Sequence, residues 1–225
     1  MLILGIDDAG RGPLIGPMIL AGVLIEKKQE TELKKHNIRD SKIIPHIERI
    51  ALSRLIKENS ISQKVVATFP DEIDNSLLSG TNLNTLEAIK VAKIINLLNT
   101  KEIQKEKVHV IVDCPSVNTK AWTKTLISYI KNKTNLTISC EHKADANHLS
   151  VGAASILAKV TREEEVAKLK KLYGQIGSGY PSDPNTQKFL KKHGKEFSNS
   201  GIFRKTWSTW KKMFPEAGQA TLDGF

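Results

Sequence analysis

A short apolar segment closing on an aspartate occurs three times in this chain and constrains its fold more than any other feature. Asp7 follows Leu2–Ile6, Asp113 ends "VHVIVD", and Asp145 closes "LTISCEHKAD". Leu2–Ile6 is too short for a helix and rich in Leu and Ile, so it reads as a buried strand. A carboxylate at the end of such a strand is costly to bury without a countercharge or hydrogen bonds. "MILAGVLIE" (18–26) reads as a second strand forming a hairpin with the first, and "SQKVVATF" (62–69) and "KVHVIVDC" (107–114) as two more. Helical patterns separate them. "NTLEAIKVAKIINLL" (84–98) has Asn84 as a cap, Glu87 completing a capping-box pattern, and Ala88, Val91, Ile95 and Leu98 on one face. "AWTKTLISYIK" (121–131) is a second helix, and "LSVGAASILAKVTREEEVAKLKKLYG" a long one ended by Gly174. Strands alternating with helices after a hairpin predict an α/β fold with a mixed β-sheet flanked by helices.

The 225 residues suffice for one large domain or two small ones, and no linker or repeat divides them. No run of 18 apolar residues is present, which argues against a membrane span. Acids at positions 7 and 8 speak against a signal peptide, and two cysteines are too few for a zinc site; a reducing cytoplasm is the expected setting. The net charge of +10 suits a polyanionic partner, although lysine-rich surfaces also serve solubility alone.

If the strands ending on Asp7, Asp113 and Asp145 are parallel neighbours, their carboxylates crowd together. Like charges in a cluster repel, and an all-oxygen donor set favours Mg²⁺ or Mn²⁺ over zinc. Asp7 and Asp8 point to opposite faces of a regular strand. Gly10, Gly12 and Pro13 are therefore expected to let the backbone leave the strand at Asp8 and re-aim that side chain. Each acid also has a plain structural reading. Asp7 can pair with Arg11 or a lysine, Asp8 can be a solvated turn acid, Asp113 a turn residue before Pro115, and Asp145 a first-turn helix acid. Gly10-Arg11-Gly12 combines exposed backbone N–H groups with a bidentate phosphate binder but is too short for a phosphate-loop fingerprint. Tyr180, in "GSGYPSDPNT", offers a ring to stack on a base or sugar, or simply packs on Pro181. The small residues of "GAAS" (152–155) allow a helix to pack closely beneath a sheet.

Together these segments resemble the ribonuclease HII family over nearly the whole chain. "GIDDAGRGPLIGP" is similar to its opening motif, "RDSK" (39–42) to its second block, and "IVDCPSVNT" to its third. "EHKAD" with "AASILAKVTRE" resembles the fourth, and "GSGYPSDP" the archaeal form of the fifth. The resemblance implies a ribonuclease H-like fold with a C-terminal helical extension. It implies cleavage of RNA in RNA–DNA hybrids and incision on the 5′ side of single ribonucleotides in duplex DNA, leaving 5′-phosphate and 3′-hydroxyl ends. Asp7, Asp8, Asp113 and Asp145 match the family's four acidic residues, expected to hold two Mg²⁺ or Mn²⁺ ions. Gly10, Arg11 and Gly12 match the segment that senses the 2′-hydroxyl, Tyr180 the aromatic at the RNA–DNA junction, and Lys42, Lys143 and Lys159 its basic positions. Members usually carry Glu where this chain has Asp8, one methylene shorter, which implies lower activity or a preference for the larger Mn²⁺.

The last seven residues, "QATLDGF", resemble a sliding-clamp-binding motif, with Gln219 as the polar anchor and Leu222 and Phe225 as the apolar contacts. The expected organisation is a catalytic domain over 1–214 and a clamp-binding tail over 215–225, in a monomer without membrane contact. From Lys188 the chain reads as basic and helical, with Trp207, Trp210 and Phe214 turned inward and part of the lysine face toward DNA.

Overall fold

The computed structural model describes residues 1–36, 38 and 44–215. In chain order the elements are β1 (Leu2–Ala9), β2 (Met18–Glu26), α1 (Lys27–Lys34), α2 (His46–Glu58), β3 (Ser62–Thr68), α3 (Pro70–Leu78) and α4 (Leu83–Leu98). They continue with β4 (Val108–Asp113), α5 (Thr119–Ser128), β5 (Leu136–Glu141), α6 (Ala144–Asn147), α7 (Leu149–Tyr173), α8 (Pro184–His193) and α9 (Ser208–Met213). The described residues divide into two compact units. The first comprises Met1–Arg11, Met18–Ala67 and Asn82–Glu164; the second comprises Gly12–Pro17, Thr68–Thr81 and the chain from Glu165.

The first unit is built on a mixed five-stranded sheet in the order β3-β2-β1-β4-β5. β1 and β2 form the expected antiparallel hairpin, with Ala9 opposite Ile19. β1, β4 and β5 run parallel as neighbours, with Ile6 beside Val112 and Val112 beside Cys140. Parallel strands need faces covered by helices, and both faces are covered. Ile19, Ala21, Val23 and Ile25 of β2 bury against Ala153, Ala154, Leu157 and Val160 of α7. On the opposite face a Cβ at Gly22 would lie 2.4 Å from Ile94 of α4. Gly5 brings α7 closest to the sheet, since a Cβ there would fall 2.1 Å from the Ser150 carbonyl carbon.

In the second unit, Leu14, Ile15, Val166, Phe189, Leu190, Ile202, Phe203 and Trp210 form an apolar core, with Trp207 and Phe214 packed on it. The aromatics thus turn inward as expected. The basic C-terminal stretch is less helical than its composition implies, because residues between His193 and Ser208 form turns and bends separating α8 from the short α9.

Three local expectations are corrected. β1 does not end at Asp8 but stays paired through Ala9, and the chain turns at Gly10, whose φ is +82°. Asp145 closes no strand. β5 stops at Glu141, and Lys143, at φ +57°, turns the chain into α6, whose first turn carries Asp145. Asn84 does not cap α4; Asn82 does, its side chain accepting the Thr85 N–H at 2.9 Å.

Candidate active site

Strand alternation and parallel register together place two carboxylates side by side. Ile6 is level with Val112, so Asp7 and Asp113 are the next residues on neighbouring parallel strands. The same face holds Ile3, Gly5 and Ile111, which meet α6 and α7. Asp7 is only 6% exposed. Its pKa is raised from 3.8 to about 7, first by loss of solvation and then by the negative charges of Asp8 and Asp113. Hydrogen bonds from the Ser155 side chain and the Asp8 N–H, the latter 2.7 Å from Asp7 Oδ1, offset this only in part. Asp113 Oδ1 accepts the Ala144 N–H at 2.8 Å, which ties the first turn of α6, and with it the backbone of buried Asp145, to the end of β4. Asp8 follows Asp7 on the opposite face of β1, partly exposed, its charge felt by Asp7. Asp7 and Asp113 thus lie where the parallel pairing of β1 and β4 ends, the position at which α/β sheets collect their ligands.

These residues fit a hard divalent cation in donor chemistry, all oxygen and mutually repelling. Among the described residues no group of three or more His, Cys, Asp or Glu side chains is arranged to hold an ion. A cation such as Mg²⁺ keeps several waters and binds through one or two carboxylates plus substrate phosphate oxygens. Asp7 and Asp113, on neighbouring parallel strands, are candidates for such carboxylates.

Arg11 is held by α4. Its Nε donates to Glu87 Oε2 at 2.8 Å and its Nη2 to Asn84 Oδ1 at 2.6 Å, both on α4. Glu87 is 2% exposed. Burial raises its pKa to about 7, opposed by Arg11 and reinforced by the charges of Asp7 and Asp113. Asn84 and Glu87 are therefore members of the candidate site, and so is Ser155, buried on α7 beside Asp7. A signal for the first two existed in the sequence: they are polar residues three apart at the start of a helix whose Leu86, Ala88, Val91, Ala92, Ile94 and Ile95 all bury. A buried Glu there demands a cation.

Lys143 is the left-handed residue before α6, and Lys159 is half-buried on α7. In the second unit Tyr180, 40% exposed, lies against Gly12: a Cβ on Gly12 would be 3.7 Å from its Cε1. Lys42, Gln219, Leu222 and Phe225 lie outside the described residues. No helix among the described residues is long and apolar enough to cross a membrane.

Comparison with known proteins agrees with this architecture. A family model described as Ribonuclease HII matches residues 4–210. The Ribonuclease HII of Methanocaldococcus jannaschii is 38% identical over 229 residues, covering 99% of either chain. Among solved structures, the ribonuclease H2 from Pyrococcus horikoshii OT3 is 36% identical with a TM-score of 0.84, covering 95% of this chain and 97% of its own. The PCNA:RNase HII complex from Archaeoglobus fulgidus contains a chain 32% identical, with a TM-score of 0.79 and full coverage of both. The sheet, Asp7 and Asp113 at its parallel strand ends and the near-complete matches lead to one assignment: the chain belongs to the ribonuclease HII family, the type 2 ribonucleases H, endonucleases acting on RNA–DNA hybrids.

Proposed function

We propose that this ribonuclease H incises duplex DNA on the 5′ side of a single embedded ribonucleotide, as well as cutting longer hybrids, and leaves 5′-phosphate and 3′-hydroxyl ends. The observation that carries the reading is the pairing of buried Asp7 with partly exposed Asp113, each the residue after the last register pair of the parallel strands β1 and β4. With Asp8 and Asp145 they are the residues assigned to hold Mg²⁺ or Mn²⁺, in a catalytic region over 1–214. When bound, such ions supply Lewis-acid activation of water and charge stabilisation at the leaving oxygen.

The protein's own part is positioning. Ser155 and the Asp8 amide orient the Asp7 carboxylate, and the Ala144 amide orients that of Asp113. In the reaction a water oxygen bonds to phosphorus, the P–O3′ bond breaks, and the 3′-oxygen takes up a proton. Gly10, Arg11 and Gly12 are assigned to the 2′-hydroxyl, the group that distinguishes RNA from DNA, and Tyr180 to stacking at the RNA–DNA junction. Lys42, Lys143 and Lys159 are assigned to phosphates.

The tail residues Gln219, Leu222 and Phe225 are assigned to a sliding clamp. The spacing of that motif and the relative solved in complex with PCNA support this.

The test is a labelled duplex carrying one ribonucleotide, compared with the all-DNA duplex of the same sequence. Incision 5′ to the ribonucleotide, with products that a ligase or phosphatase identifies as 3′-hydroxyl and 5′-phosphate, is expected. Equal cutting of both duplexes, or cutting only in long hybrids, contradicts the reading.

A further inference from the structure

Gly12 is the last residue of Gly-Arg-Gly, and its carbonyl is the one polar handle on the peptide that follows, because Pro13 has no N–H. Glycine also has the most backbone freedom to lose on ordering. Something must fix this peptide if the segment is to read a ribose.

In the second unit that role falls to Trp207. Its indole Nε1–H donates to the Gly12 carbonyl at 3.0 Å. The indole is itself held by Arg204, whose guanidinium carbon lies 4.9 Å from the Trp207 ring centroid. Arg204 is fully buried, and its Nε and Nη2 donate to the Gly16 carbonyl at 3.1 and 2.9 Å. Its backbone N–H donates to the Leu14 carbonyl at 2.9 Å. Behind the indole, Asp74 accepts the Lys205 and Thr206 N–H groups at 2.6 and 3.1 Å, and the Thr206 hydroxyl at 2.5 Å, fixing the turn that delivers Trp207. The Gly179 carbonyl accepts the N–H groups of Leu14 and Ile15 at 2.8 and 3.1 Å, so the loop bearing Tyr180 is tied to the same strip.

We infer that Trp207 is a positioning residue for ribose recognition: its indole N–H fixes the Gly12 peptide against Tyr180, and Arg204 fixes the indole. This rests on the assignment of Gly-Arg-Gly to the 2′-hydroxyl. A purely structural tryptophan would need only its ring buried, and that ring is only partly buried. The orientation of its one donor is what the strip uses.

The experiment uses the full chain with Trp207→Phe, which keeps an aromatic ring for Arg204 and removes the donor. Substrates are duplexes bearing a ribonucleotide, a 2′-fluoro nucleotide or a deoxynucleotide at one position. Loss of one hydrogen bond corresponds to a fall of about tenfold in kcat/KM for the ribonucleotide. The preference for ribose over 2′-fluoro narrows by a similar factor, while duplex KM is little changed. An unchanged preference in Trp207→Phe, with Arg11→Ala flattening it, overturns the inference and leaves the Gly-Arg-Gly reading intact. A wild-type enzyme without any such preference removes both.

A second measurement does not depend on the variant folding. In the ¹⁵N-labelled wild-type chain with chelator present, the Trp207 indole N–H signal is expected to respond differently to the ribonucleotide duplex and to its all-DNA counterpart. An identical response to the two duplexes overturns the inference.

Discussion

Asp7 works against folding in order to be useful. An acid whose pKa is higher in the folded chain binds an extra proton in the native state, so stability falls as pH rises through the interval between the two values. For Asp7 that interval runs from 3.8 to about 7, and Glu87 adds to it with the same sign. Without divalent cation, the Tm is expected to drop across this range, and Mg²⁺ or Mn²⁺ to restore more of it at pH 8 than at pH 5. Asp7→Asn removes the charge and is expected to raise the cation-free Tm at pH 8 while abolishing cleavage. Thermal unfolding with and without metal checks both, and a pH-independent Tm in the wild type contradicts the account.

Glu87 takes its partner from far along the chain. It reaches Arg11 across 76 positions of sequence, a pairing that no spacing rule detects. Glu87→Gln keeps an acceptor for Arg11 but removes the charge. Since hydrogen bonds to charged groups contribute about 1.5–3 kcal/mol, kcat/KM on the ribonucleotide duplex is expected to fall at least tenfold. On an Arg11→Ala background the same change is expected to add little, which a double-mutant cycle measures.

At the scale of elements, the site depends on how closely α7 approaches β1. Gly5 allows it, and no side chain fits there, because the nearest atoms belong to the Ser150 and Val151 backbones and cannot swing away. Gly5→Ala is expected to destabilise by at least about 1–3 kcal/mol and to displace Ser155 from Asp7. Urea unfolding and residual activity report the two effects, and an unperturbed variant contradicts this packing. Much at this scale was legible in the sequence. β1, β2 and β4 carry apolar runs that only a strand suits, and α7 stops where Gly174 adopts φ +80°. The end of β5 was not legible, because the residue that turns the chain there is Lys143 and not a glycine. α3 was missed as well, although Pro70 at its first position and Asp71 and Glu72 in its first turn are ordinary start signals.

For the whole molecule, the sequence conveyed class and chemistry better than placement. Four aspartates, Gly-Arg-Gly and Tyr180 follow from motif resemblance. The supports lie far from their partners in sequence: Ser155, Asn84 and Glu87 act within the first unit, Trp207 and Arg204 within the second. Such supports look like ordinary core or cap residues in the linear sequence, since their roles lie in contacts distant along the chain. On the proposed function, Asp7 and Asp113 hold a divalent cation that serves ribonucleotide incision. The most direct test is the initial rate on a single-ribonucleotide duplex against Mg²⁺ or Mn²⁺ concentration, for wild type and Asp113→Asn. The account predicts a wild-type rate that rises from zero in chelator and saturates, and a variant slower by about two orders of magnitude or more, roughly 2.7 kcal/mol of lost transition-state stabilisation. Undiminished incision in chelator, or a variant as fast as the wild type, would contradict it.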